Sequence, residues 1–395
     1  KEDHLEDALN SETPPDVIVM NTNALVGYFY QQGLIEPLTP WVEASNVNLE
    51  DFYPAPLAQC QMPDGKLVCM PWVGDTFALY WNKELFSDAG LDPNKPPKTM
   101  EEILEYSQRL TVSDGEVLRQ VGFIPDFPRP NLNLYTHMFG GVWYSGDGAE
   151  LSINSEPVIK ALNWQFQFFE HLGIQKANDF LGSINRYRNS DHTEMGGVRL
   201  SCQQCHRFET VNVDRIPEQG FYNGQLAMIV GGPWLLGDGH ISADALNLNY
   251  GVTPFPSSAE NPERANSSFY EGAVVIIPSG GLNSDVEALL AWMMSPDIVA
   301  EIALATTSLP ANQIAASNLR FQQIPNFNIF NDLMVSEYTC ASPPIPIYKD
   351  ISKVLAEVQM DFLGQERNDL RVYLNNLQAE YVPIVNEVYN NQLLP

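Results

Sequence analysis

Positive charge is scarce in this chain. Against 49 aspartates and glutamates its 395 residues set only 21 lysines and arginines, a formal net charge of −28 with a pI near 4.4. Those cations are scattered, so a phosphate backbone would be repelled and nucleic acid is excluded as a partner. The acidity itself reads as surface solubility. No apolar run approaches the ~20 residues needed to span a bilayer and no signal peptide is present, which predicts a mature chain that is soluble or tethered elsewhere. G-x-S-x-G, HExxH, P-loop and Gly-rich dinucleotide motifs are all lacking, and the six histidines show no metal-ligand spacing. We therefore read no catalysis, and no cofactor or metal site outside one cysteine–histidine run. What remains is a composition 44% hydrophobic and 18% charged, enough to build two or three lobes with real cores.

Cysteines are few, five in all. Cys60 and Cys69 flank the turn Gln61 to Val68, a separation that a two-stranded ladder can bring within disulfide reach, and a disulfide fits an extracytoplasmic compartment. Cys202 and Cys205 stand in a Cys-Gln-Gln-Cys-His run with His206. Three readings of that run stay open: a second, local disulfide, a metal-binding turn, or a c-type haem attachment with His206 as axial ligand and Met195 or His192 as the sixth. Cys340 is left over as a buried thiol.

The most informative stretch is Lys66 to Leu91, KLVCMPWVGDTFALYWNKELFSDAGL. Leu67 to Met70 follows the turn formers Pro63, Asp64 and Gly65 and reads as a strand that Pro71 ends. Trp72 and Asp75 come next in a segment broken by Gly74, and Phe77 to Trp81 resumes an extended aromatic run. Asn82 is placed to cap a helix over Lys83 to Ala89, with Gly90 ending it in the left-handed region. Elsewhere Thr99 and Glu102 form a capping box, and Ser295-Pro296-Asp297 starts another helix. Strands alternating with helices on short loops argue for α/β lobes.

The Lys66 to Leu91 stretch closely resembles the sugar-binding group of ABC-importer solute-binding proteins, family 1, the class that includes maltodextrin-binding protein. In this chain Tyr80-Trp81-Asn82 stands where that pattern often has a second Tyr. Phe221 to Leu235, FYNGQLAMIVGGPWL, carries the second signature, and Pro14 to Val17, Gly33 to Leu38, Leu151 to Gly173, Tyr250 to Pro256 and Leu309 to Ala311 match further segments. The resemblance covers most of the chain from Pro14 onward except about 175–219, taken as an insertion. It implies a type II periplasmic-binding-protein fold, two lobes of mainly parallel sheet flanked by helices and joined by a hinge. Residues 1–117 plus 270–310 would form the first lobe and 118–269 plus 311–395 the second. The family's first strand and long helix are expected ahead of Pro14 and are not here, so the chain is expected to be a fragment or to lack its true N-terminus, with its signal and any lipid-anchoring cysteine. The resemblance further implies a monomer, periplasmic or extracellular, that delivers a sugar or oligosaccharide to the transmembrane permease subunits.

Sugar rings present apolar C–H faces and a rim of hydroxyls, so a site for them needs flat aromatic platforms and short polar groups. Trp72 and Trp234 are the expected platforms, one from each lobe and facing each other over the cleft, with Tyr144, Tyr270 and Tyr348 as further candidates. Asn21, Asn23, Asp75, Arg129 and Glu271 are the expected hydrogen-bonding groups. Two other readings stay open: a c-type haem redox protein on the same fold, or a binding protein for a non-sugar solute. An acidic glycosidase is a third class, which would need a carboxylate pair in an aromatic cleft.

Overall fold

The computed structural model describes residues 2–62, 64–125, 127, 131–144, 150–184, 218–237, 248–362 and 370–392. Arg129 and the whole Cys202, Cys205, His206 run, with Met195 and His192, lie outside the described residues. Ten strands occur among those described: β1 (Ile18–Met20), β2 (Met70–Asp75), β3 (Ala78–Asn82), β4 (Val112–Asp114), β5 (Val117–Gln120), β6 (Met228–Gly231), β7 (Tyr250–Pro254), β8 (Phe269–Ile276), β9 (Leu309–Pro310) and β10 (Cys340–Ala341). They form a five-stranded sheet ordered β1-β8-β2-β9 with β10 also on β8, a three-stranded sheet ordered β6-β3-β7, and the hairpin β4-β5.

Local chemistry sets the element ends largely as the sequence predicts. Asn82 accepts from the amides of Glu84 and Leu85 and starts the helix Lys83–Asp88, after which Gly90 takes φ +70°. Thr99 Oγ1 accepts from Glu102 N, while the Glu102 carboxylate reaches back one residue further than a standard box, to Lys98 N. Pro71, in contrast, does not end its strand. It is the second residue of β2, where the register against β8 shifts between Pro71 and Gly74, an irregularity that tolerates a residue with no N–H to give.

Sheet direction also departs from expectation. Among the described residues the pairings are antiparallel, apart from β8 with β10 and the bridge of Val121 to Leu226. Strand–helix alternation implied parallel sheets, yet consecutive strands such as β2 and β3 enter different sheets, and β2 pairs instead with β8, about two hundred residues on. Alternation along the chain fixes direction only when a crossover returns to the same sheet.

Buried apolar side chains segregate into two cores. The smaller gathers Val26, Phe29, Leu38, Trp41, Met70, Val274 to Ile277 and Leu290, and the larger gathers Leu79, Phe86, Ile103, Tyr135, Phe166, Met228, Phe269 and Tyr270 among many others. The chain is thus two-lobed, and β2 and β8 run from one core to the other: Met70 lies in the smaller and Val73 in the larger, while Tyr270 lies in the larger and Val274 in the smaller. Trp72, between them, packs against both.

Cys60 and Cys69 are fully buried in the smaller core and joined as a disulfide, with Gln61 bridged to Leu67 inside the loop. Closing a loop of nine residues' separation removes entropy from the unfolded chain worth about 2–3 kcal/mol. Replacing both cysteines by serine is expected to lower stability by about that amount, read from the denaturant midpoint at constant slope; an unchanged midpoint would remove the disulfide from the fold's supports.

Candidate functional site

Where β2 and β8 pass between the cores the chain lines a cavity of about 210 Å³ that is partly open to solvent. The connector Thr76-Phe77 is pinned there. Thr76 Oγ1 donates to Phe330 O (3.2 Å), Phe77 N donates to Ser268 Oγ (2.9 Å), and Ser268 N donates to Thr339 Oγ1 (3.0 Å). Phe77 and Phe269 therefore present buried rings to the cavity from fixed backbone.

A second wall is aromatic and amide. Trp143, 1% exposed, donates its indole N–H to Asn133 Oδ1 (2.6 Å), and Asn133 Nδ2 donates to the Tyr348 hydroxyl (2.9 Å). Tyr348 lies with its ring centroid 5.3 Å from that of Trp143 at 32°, and Tyr144 meets Trp143 edge-on at 4.7 Å and 89°. Behind this wall Ser342 Oγ donates to the Tyr144 hydroxyl (3.1 Å). Burial above all pushes the Tyr144, Tyr270 and Tyr348 hydroxyls up in pKa, with Cys340 adding to it at Tyr144, Asp75 at Tyr270 and Glu271 at Tyr348, so all three stay protonated donors.

The third wall comes from the smaller lobe. Asn23, buried, spends its amide hydrogens on Ser342 O (2.7 Å) and Gln59 O (3.1 Å), which leaves Oδ1 as the edge of the amide not held by those bonds. Thr22, Gln59, Asn131, Ser352 and exposed Glu271 complete the polar lining. No lysine, arginine or histidine lines the cavity among the described residues.

The sequence-predicted residues separate accordingly. Asn23, Tyr270, Glu271 and Tyr348 come together on the cavity, and Tyr144 stands one hydrogen bond behind it. Asn21 is exposed beside the lining residue Thr22. Asp75 pairs with Glu271 across β2 and β8 without reaching the cavity itself. The two indoles do not face each other. Trp72 donates to Met293 O (3.2 Å), one of the carbonyls that the helix Ser284–Met293 leaves open at its C-terminal end, and Trp234, 7% exposed, packs edge-on behind Phe77 at 6.0 Å. Trp143, Asn133, Asn131, Gln59 and Ser342 were not singled out from the sequence. The available signal for Trp143 is an aromatic pair, Trp143-Tyr144, directly after Gly140-Gly141-Val142.

One buried node joins three segments that supply the walls. Ser267 Oγ donates to Arg264 O (2.7 Å), so His137 Nε2–H donates to Ser267 Oγ (2.8 Å) and Nδ1 is left to accept the Cys340 thiol (3.3 Å). His137 closes the helix Leu132–Met138 that carries Asn133, Ser267 precedes β8, and Cys340 opens β10 beside Ser342. Burial, with a smaller push from the Arg264 guanidinium, lowers His137 to about 3.

A polar and aromatic cavity between two α/β lobes, at the strands that connect them, defines a solute-binding protein. Residues 1–328 match the family model for bacterial extracellular solute-binding proteins, and the chain belongs to that family. Among its relatives are sn-glycerol-3-phosphate-binding periplasmic proteins. The one from Shigella flexneri is 24% identical over 295 residues, 73% of this chain and 58% of that protein, and the one from Brucella abortus is 30% identical over 108 residues, 27% of this chain and 25% of that protein. The chain thus spans from a quarter to somewhat over half the length of these relatives. Of solved structures, CpMnBP1 with mannobiose bound superposes with a TM-score of 0.75 over 95% of this chain and 86% of its own at 22% identity, which establishes the shared two-lobed fold.

His137 carries a pH consequence. The unfolded chain takes up its proton as pH falls through the ordinary 6.5, whereas the folded protein does so only near 3, so this residue's contribution is complete above 6.5 and declines across the interval below it. Between pH 6.5 and 4.5 the native protein is expected to lose about 2–3 kcal/mol more than its His137→Gln variant, measured as the difference in denaturant midpoints. Parallel pH curves for the two proteins would contradict the buried neutral imidazole.

Proposed function

We propose that this chain is the binding subunit of an ABC importer, capturing a neutral saccharide in the cavity between its lobes and delivering it to a membrane permease. The observation that carries the reading is the wall built by Trp143, Tyr348 and Asn133: a buried aromatic pair for the C–H face of a sugar, with amide and hydroxyl groups at its rim. The described lining offers many groups that donate to or accept from hydroxyls and no cation to balance a phosphate, which favours a saccharide over a phosphate ester. At about 210 Å³ the cavity is below the ~300 Å³ at which sites for drug-sized ligands begin, and suits about one sugar unit with the lobes as they stand, its open side leaving room for a second. Contacts from both lobes would stabilise a closed state over an open one, with β2 and β8 as the strands across which the lobes move. Binding and release, without turnover, is the activity we assign, in keeping with membership of a solute-binding family.

Calorimetric titration against mannobiose, maltose and sn-glycerol 3-phosphate tests this. Heat is expected with a saccharide and none with the phosphate ester; the reverse pattern would overturn the ligand class and leave the fold standing. Trp143→Phe, which keeps a ring but removes the donor to Asn133, is expected to weaken saccharide binding about tenfold, and wild-type affinity in that variant would take the aromatic wall out of the site.

A further inference from the structure

Of the hydrogen-bonding atoms in the cavity wall that are buried with no partner among the described residues, Ser352 Oγ being another, two belong to side chains set against Gly272. One is Nε2 of Gln59, a residue 2% exposed, and the other is the phenolic oxygen of Tyr270, 0% exposed. The orientation of the Gln59 amide is fixed, because its Oε1 accepts from Gly272 N at 3.1 Å, which turns the NH₂ end away from that bond. The Gln59 main chain is held too, its carbonyl accepting from Asn23.

Tyr270 is equally constrained. Its oxygen lies over the register pair Gly74 and Gly272, where a Cβ on either glycine would come within 2.3 or 2.4 Å of it. Only two residues without side chains leave room for the phenol there. Both side chains therefore meet at Gly272, Gln59 through the Oε1 that accepts its amide and Tyr270 through the hydroxyl over its bare Cα. A donor and a hydroxyl buried without partners cost the fold their full desolvation, which a ligand bringing the missing bonds would return.

We propose that Gln59 Nε2 and the Tyr270 hydroxyl form a two-point subsite for neighbouring hydroxyls of a bound saccharide, Gln59 donating to one oxygen and Tyr270 pairing with the next. This rests on the saccharide reading above and names the atoms that select within that class. Because the Gln59 carbonyl end is committed to Gly272, the subsite requires an acceptor opposite Nε2, and a deoxy position there leaves the amide unsatisfied.

Mannobiose and maltose are titrated against the wild type, Tyr270→Phe and Gln59→Glu, the last keeping an acceptor for Gly272 N–H while removing the donor. Each substitution is expected to weaken binding about threefold to tenfold. Unliganded Tyr270→Phe should melt at the wild-type temperature or above it, since it deletes a hydroxyl that has no partner in the free protein. Among monodeoxy derivatives of the saccharide that binds, one should bind the wild type more weakly yet discriminate little in Tyr270→Phe. Wild-type affinity in Tyr270→Phe, or a joint fall of affinity and unliganded melting temperature, would overturn the subsite while the saccharide reading stands. If the wild type gives no heat with either sugar, the saccharide reading falls and the subsite with it. Should Gln59→Glu not fold, Tyr270→Phe and the deoxy series decide alone.

Discussion

The ladder between β2 and β8 is the constraint on which the rest of the molecule depends. Each strand begins in one hydrophobic core and ends in the other, so the lobes share two hydrogen-bonded strands as well as a surface. A ladder that must serve two cores cannot keep a uniform pleat. It shifts register after Pro71 and sets Gly74 opposite Gly272, and the gap left by two missing side chains is filled by a phenol from Tyr270, two residues along β8. The cavity is the outcome of that crossing. Its lining includes Tyr270 and Glu271 from β8, Phe77 from the connector just beyond β2, and Asn23 and Gln59 from the segments of the smaller lobe packed alongside.

Such a site gains order from backbone rather than from long flexible side chains. Phe77 is fixed through Ser268, Asn133 sits between Trp143 and Tyr348, and His137 ties the helix Leu132–Met138 to the approaches of β8 and β10. Side chains held this way lose little further freedom when a ligand arrives, which is what preorganisation means in free-energy terms. Surface ion pairs, by comparison, are exposed and single, as between Lys95 and Asp92 or Arg119 and Asp114, and add little.

Much of the fold was legible in the sequence where the chemistry is local. The Asn82 cap, the Gly90 terminus, the Thr99 N-cap and the Cys60–Cys69 pair each depend on residues a few positions apart, and each appears in the structure. Membership of the solute-binding family was readable for the same reason, since its signatures are short. Sheet direction was not, because β2 finds its partner in β8 and nothing within either strand encodes that choice. The site was half legible. Tyr270, Glu271, Asn23 and Tyr348, picked as aromatic or hydrogen-bonding candidates, line the cavity, whereas Gln59 and Asn133 are ordinary polar residues whose place there comes from what folds against them. Trp72 and Trp234 lie off the cavity: an indole at a strand end has the right shape for a sugar, but it also has a donor that a helix carbonyl can take and a face that a neighbouring ring can meet.

The hydrogen bond from Asn23 to the carbonyl of Ser342 spans 319 positions of sequence and sits in the lining of the site. No nascent segment ending before Ser342 can close it, and the smaller core itself waits for Val274 to Ile277 and Leu290, so the wall is joined only after most of the chain has been made. Competence to hold a solute is in this sense the last property the polypeptide acquires, reached only when its two distant stretches meet.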